Sequence, residues 1–148
     1  MKICEWLEAR GIHCKDSRLI EQAFVHSSYV NEHKQLKHDN ERLEFMGDAV
    51  LQLWVSDKLF RLDPPLDEGR MTTFRAQLVC EEALAIYARQ LRLNTFLKLG
   101  VGEEKTGGRE RDSIIADMFE AMLGALYEDG GMAPIDNILT EVIMPHLS

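Results

Sequence analysis

Between Leu43 and Ser56 the only charged side chains are Glu44 and Asp48. They stand four residues apart, so a helix through this stretch carries both on one face. Glu41 falls on the same face. Between Ser113 and Tyr127 the pattern recurs, with Asp117 and Glu120 three residues apart as the only charges. Around the first pair, Leu43, Met46, Val50, Leu53 and Trp54 form an apolar stripe, and Leu51 and Val55 flank the carboxylates. Around the second, apolar residues fill the circumference and Gly124 and Ser113 share the acidic stripe, which leaves room beside it. Both helices are therefore expected to lie in the interior.

Carboxylates in an apolar setting rise in pKa, and several together repel. Neither inner segment contains Lys or Arg. One resolution is an ion pair with an arginine from elsewhere, Arg42 or Arg75. The other is a divalent cation. Two such clusters in one small core make the cation the more economical answer, and oxygen ligands without nearby His or Cys suit Mg²⁺ or Mn²⁺. A carboxylate cage of this kind suits phosphate-ester hydrolysis.

The elements that must position these acids read as helical throughout, because apolar residues recur at helical spacing, and the fold class is all-α. Helices are predicted over residues 2–10 and 17–25, the second capped by Ser17. A polar stretch, 26–40, follows. Asn40 is the predicted cap of a helix running to about Leu62, before Pro64 and Pro65. A further helix from Glu68 bends near Cys80 and ends around Leu91. Residues 100–108 read as a glycine-rich loop, 112–128 as a helix with Gly130 as its left-handed C-cap, and a last helix follows Pro134.

The chain has 148 residues, 45% hydrophobic and 28% charged, which suits one domain and excludes both disorder and a fibrous repeat. No run approaches the roughly 18 apolar residues of a membrane helix, and Lys2 and Glu5 interrupt any signal peptide. Cys4, Cys14 and Cys80 lack CxxC spacing, against a disulfide framework or zinc knuckle. A cytoplasmic protein without a membrane partner is the expectation. The formal net charge of −8 excludes nucleic-acid binding through a whole-surface basic field.

The segment Asn40-Glu41-Arg42-Leu43-Glu44-Phe45-Met46-Gly47-Asp48-Ala49-Val50-Leu51 resembles the signature of ribonuclease III, the double-stranded-RNA endonuclease. Further similarity lies in residues 23–29, Glu68-Gly69, 102–108 and 116–121, in the order and spacing of the bacterial catalytic domain across 1–148. The resemblance implies an all-helical homodimer with Glu44, Asp48, Asp117 and Glu120 as catalytic acids and metal ligands around Mg²⁺, Mn²⁺ being the expected substitute. It implies Glu41 and Glu68 as accessory acids and Phe45 as a knob entering the partner subunit. The reaction it implies is metal-assisted in-line hydrolysis of duplex RNA to 5′-phosphate and 3′-hydroxyl ends, in RNA processing and decay, including that of rRNA. The family's basic RNA-binding domain is expected to be absent from this chain, which accounts for the acidic balance.

Lys105, Arg109 and Arg111, in and after the glycine-rich loop, are the local candidates for phosphate contacts, with Arg70 and Arg75 on a neighbouring helix. Two other readings compete. His26 with the His38-Asp39 pair would suit a histidine-ligated phosphohydrolase, and a dimer that binds duplex RNA without cutting it would need none of the four acids. The absence of GxSxG and of a Cys/His/Asn setting excludes a nucleophilic hydrolase.

Overall fold

The computed structural model of the chain describes residues 1–147. Its helices are α1 (Ile3–Glu8), α2 (Ser17–Gln22), α3 (Ser27–Glu32), α4 (Glu41–Phe60), α5 (Glu68–Val79), α6 (Glu81–Gln90), α7 (Val101–Lys105), α8 (Asp112–Gly130) and α9 (Met132–Val142). Short 3-10 turns lie at Leu93–Phe96, Gly108–Glu110 and Met144–His146. The all-α expectation holds. One isolated parallel bridge, Val25 to Lys98, ties the end of α2 to the approach of α7.

The apolar circumference of α8 predicts a central helix, and α8 occupies the middle of the core. Ile115, Met118, Phe119, Met122 and Leu123 have no exposed surface. Against it lie α4, α6, α2 and α9. The α4–α8 approach is antiparallel and backbone to backbone: a Cβ on Gly47 would overlap the carbonyl oxygen of Glu120, and one on Gly124 that of Leu43. Gly124 does leave room beside the acids, as its spacing suggests, but the α4 main chain fills it. On the other flank the Tyr87 ring of α6 packs 6.2 Å from that of Phe119, and its hydroxyl donates to the Leu78 carbonyl at 2.8 Å.

Several boundaries differ from the sequence reading, each for a local reason. The cap of α2 is Asp16, whose carboxylate accepts from the Leu19 amide, rather than Ser17. Asn40 occupies the cap position of α4, yet its buried amide donates instead to the Ala23 carbonyl at 3.0 Å. A buried carbonyl at the end of α2 needs a donor, and Asp39 accepts from the Glu41 amide in its place. The polar stretch contains α3, and the glycine-rich segment contains α7. After α8 the residue with positive φ is Gly131, at 74°, one position later than expected. The helix α9 starts before Pro134, since a proline within the first helical turn gives up no intrahelical bond. The predicted bend at Cys80 is present as an extended residue between α5 and α6.

The largest difference concerns α4, which was expected to be interior on all sides. Phe45, Leu53 and Phe60 are 78%, 63% and 73% exposed. One face of α4 packs on α8 and the opposite face is an uncovered apolar ridge.

Candidate metal centre

The close approach through Gly47 and Gly124 sets Glu44 and Asp48 of α4 beside Asp117 and Glu120 of α8. Glu44, Asp117 and Glu120 each offer a carboxylate oxygen, all within 4.8 Å of one another. Asp48 stands outside that trio but close enough to raise both Glu44 and Glu120. The two helices thus bring together all four acids that their spacing singled out.

Electrostatics at this cluster is that of a site built for a cation. Burial and the hydrogen bond and charge of Asp48, with the charges of Glu44 and Asp117, push Glu120 up to about 9. Burial, followed by Asp117, Asp48 and Glu41, also raises Glu44. Asp117 is raised by burial first and then by Glu81 and Glu41, while His26 opposes the shift. No Lys or Arg forms an ion pair with any of the four among the described residues. Arg75 donates to Ser56 Oγ at 2.8 Å instead. The ion-pair alternative therefore fails, and a set of hard oxygen donors lacking a counter-charge fits Mg²⁺ or Mn²⁺.

Among the remaining predicted residues, Glu41 lies close enough to raise both Glu44 and Asp117. Glu68 stands apart at the start of α5, accepting from the Thr72 hydroxyl at 3.0 Å. Phe45 is exposed at the edge of a groove of about 670 Å³ that it lines with Leu19, Leu43, Met46 and Arg42. Arg109 is engaged within the fold: it pairs with Glu104 of α7 and donates to the carbonyls of Asn94 and Leu97, at the preceding 3-10 turn, at 3.0 and 2.8 Å. Arg111 pairs with Glu103 and donates to the Thr106 carbonyl. Both arginines brace α7 and its following turn, whereas Lys105 is exposed and makes no ion pair among the described residues.

Two further groups act on the cluster: Glu81, which the sequence reading missed, and His26, which it weighed only as a ligand of the histidine-based alternative. Glu81, the first residue of α6, raises Asp117, and nothing in its local pattern distinguishes it from any acid in a first helical turn. His26 acts on Asp117 in the opposite sense. Its Nδ1 accepts from the Ser28 amide at 3.1 Å, which places the proton of the neutral ring on Nε2. The Ser28 hydroxyl accepts from the Gly100 amide at 2.9 Å, and the Glu32 carboxylate accepts from the Val101 amide at 2.8 Å, so α3 anchors the start of α7. His38, by contrast, lies exposed away from the acids, and no His joins the cation-competent group among the described residues. The histidine-ligated reading is thereby set aside.

Fold and site together define an all-helical domain whose two longest helices cross at glycines to assemble a carboxylate cluster that could hold a divalent cation. A model of the ribonuclease-III-like family matches residues 16–147, and the chain belongs to that family. It is 50% identical over 142 residues to the ribonuclease 3 proteins of Bacillus cereus and Bacillus anthracis, an alignment covering 95% of this chain and 58% of theirs. The chain thus spans somewhat more than half the length of those relatives. Among solved structures it is similar to the nuclease domain of ribonuclease III from Campylobacter jejuni, with a TM-score of 0.84 at 33% identity, covering 97% of this chain and 99% of that one. That protein is described as flexible in a region involved in dimer formation. Dicer from Pichia stipitis is similar at a TM-score of 0.65 and 30% identity, over 90% of this chain and 56% of that one.

Proposed function

We propose that this chain is the catalytic domain of a divalent-cation-dependent endoribonuclease that hydrolyses double-stranded RNA as a homodimer in the cytoplasm, leaving 5′-phosphate and 3′-hydroxyl ends. RNA processing and decay, rRNA maturation included, is the setting this reading assigns. The observation that carries it is the convergence of Glu44, Asp117 and Glu120 within 4.8 Å, with Asp48 beside them and no Lys or Arg ion-paired to any of the four among the described residues. The 50% identity to Bacillus ribonuclease 3 supports the reaction class.

Within this reading Glu44, Asp48, Asp117 and Glu120 hold the cation. Mg²⁺ or Mn²⁺ bound there supplies an activated water and neutralises charge on the phosphodiester. Burial and Asp48 hold the Glu120 carboxyl high, so Glu120 must lose its proton to serve as a ligand. His26, its ring oriented by the Ser28 amide, opposes the rise that burial and Glu81 impose on Asp117. Glu41 and Glu68 act as accessory acids, Glu41 beside the cluster and Glu68 from the rim formed by α5. Lys105 is the phosphate contact of the α7 segment, while Arg109 and Arg111 hold that segment in shape.

Recognition rests on A-form shape, phosphates and 2′-hydroxyls, since the RNA major groove is too narrow for side chains to read. A two-fold dimer matches the antiparallel strands, giving one site per strand. The exposed ridge of Phe45, Leu53 and Phe60, beside the groove that Phe45 borders, supports a pairing in which Phe45 of one copy enters the groove of the other.

The test is incubation with a long labelled RNA duplex at low salt, with Mg²⁺ or EDTA, followed by analysis of product ends. Short duplexes carrying 5′-phosphates in Mg²⁺ and intact RNA in EDTA are expected. Stable binding with no cleavage in Mg²⁺ or Mn²⁺ would instead identify a non-catalytic RNA-binding dimer.

A further inference from the structure

The chain carries a net charge of −8, so its unpaired cations matter by their placement. Arg109 and Arg111, the loop arginines, are held by carboxylates, as are Arg10, Arg61 and Arg89. Arg18, Lys37 and Lys98 are not: each is exposed and makes no ion pair among the described residues. These three, with His38, line one groove of about 280 Å³ between α2 and the connection leading to α4, and Glu21 is the one carboxylate on its wall. Residues that come from α2, from the segment after α3 and from the approach to α7 thus converge as a basic cleft on an acidic molecule.

This cleft adjoins the groove that Phe45 borders, with which it shares Gln22 and His38, and one of its walls is tied to the segment between α2 and α3. Its wall includes Val25, which bridges to Lys98. The Lys98 amide donates to the Phe24 carbonyl at 2.8 Å, and the His26 amide donates to the Lys98 carbonyl at 3.1 Å. The next side chain along is His26, which acts on Asp117. One parallel bridge and its two main-chain hydrogen bonds therefore hold Lys98 against the segment that leads to His26. The groove is open and has no buried polar anchor, which suits a polyanion's repeated charges better than one small ion.

We propose that the groove lined by Arg18, Lys37 and Lys98 is a second contact for the RNA phosphate backbone, beside the groove that Phe45 borders. This rests on the double-stranded-RNA reading above and deepens it, since it says how an acidic domain retains its substrate. The contact is electrostatic and independent of sequence, and removing it weakens the salt dependence of binding by about one unit of slope per phosphate released.

The test uses Lys37→Glu/Lys98→Glu, with Lys37→Gln/Lys98→Gln as a milder pair and Lys15→Glu/Arg92→Glu as a charge-matched control outside the groove. KM and kcat are measured on a long duplex with Mg²⁺. Binding is measured against salt in a Glu120→Gln background, and thermal melting and sedimentation report fold and dimer. The expected result is a rise of about tenfold in KM and Kd for the groove reversal, with kcat within twofold. A salt slope shallower by roughly 1 to 2, a smaller change in the Gln pair and little change in the control complete it. Wild-type activity with unchanged KM, Kd and salt slope in both groove pairs would overturn this inference and leave the endonuclease reading intact. A loss that tracks dimer dissociation would also overturn it, by assigning the groove to the second copy. Failure of the wild-type protein to cut any duplex would bring down the functional reading itself.

Discussion

Glu120 is the side chain on which protonation, stability and cation binding meet. In the cation-free protein its carboxyl is raised to about 9 by burial and by Asp48, so the folded state prefers it protonated. A carboxyl with a raised folded pKa contributes stability that is complete below its unfolded value, about 4.5, and is lost as pH rises through about 9. Glu44 and Asp117 shift in the same direction. The cation-free protein is therefore expected to melt at progressively lower temperature between pH 6 and pH 9 in EDTA. Glu120→Gln removes the largest part of that slope and raises the melting temperature at pH 8.5 by about 3 °C or more, near the shift that 1 kcal/mol produces at this size. An unchanged pH slope in the variant would contradict this account. The same protons compete with the cation, so apparent Mg²⁺ affinity is expected to rise with pH, read as a growing Mg²⁺-induced increase in melting temperature that Glu120→Gln lacks. Cleavage in Glu120→Gln is expected to fall below one-thousandth of the wild-type rate while the fold survives.

At the level of elements, the site depends on how closely α4 and α8 approach, and two hydrogen atoms in place of methyl groups set that distance. A Cβ at Gly47 or Gly124 collides with main chain of the facing helix, which cannot move as a flexible side chain would. Gly124→Ala is expected to cost about 3 kcal/mol or more, at the upper end for overpacking, measured as a lowered denaturant midpoint. Gly102, in α7, faces open space, so Gly102→Ala is expected to be neutral or slightly stabilising. Equal effects at the two positions would contradict the close-approach argument. The acids of both helices were legible from their spacing because side-chain direction follows the helical period. The meaning of the glycines was not, since a helical pattern records which face is small and never what fills the space. Glu81 escaped for the same reason: its proximity to Asp117 arises from the packing of α6, and its sequence setting is an ordinary first turn.

For the whole molecule, the uncovered ridge of α4 is the feature a monomer does not explain. Large exposed apolar side chains along one helix face mark an interaction surface, and Phe45 stands at the edge of a groove large enough to receive an aromatic ring. Phe45→Ala is expected to shift the protein from dimer toward monomer in sedimentation velocity, with far-ultraviolet circular dichroism unchanged. A dimer of unchanged stability would place the interface elsewhere. No helix among the described residues is long and apolar enough to cross a membrane, so this apolar surface belongs to no membrane-spanning helix. The net charge of −8 read from composition is likewise resolved at this scale, into a carboxylate centre, a set of internal ion pairs and a basic cleft.

From sequence alone follow the helical class, the two acid-bearing helices, the family, and the four carboxylates, because each is written in residue type and periodicity along one element. Tertiary structure alone decides that the two helices run antiparallel at backbone contact, that one face of α4 remains uncovered, and that Arg109 and Arg111 serve the fold of their own loop. It also decides that Asn40 satisfies Ala23 in place of capping α4. These outcomes depend on distances between residues far apart in the chain, where packing and the need to satisfy buried polar groups outweigh local preference.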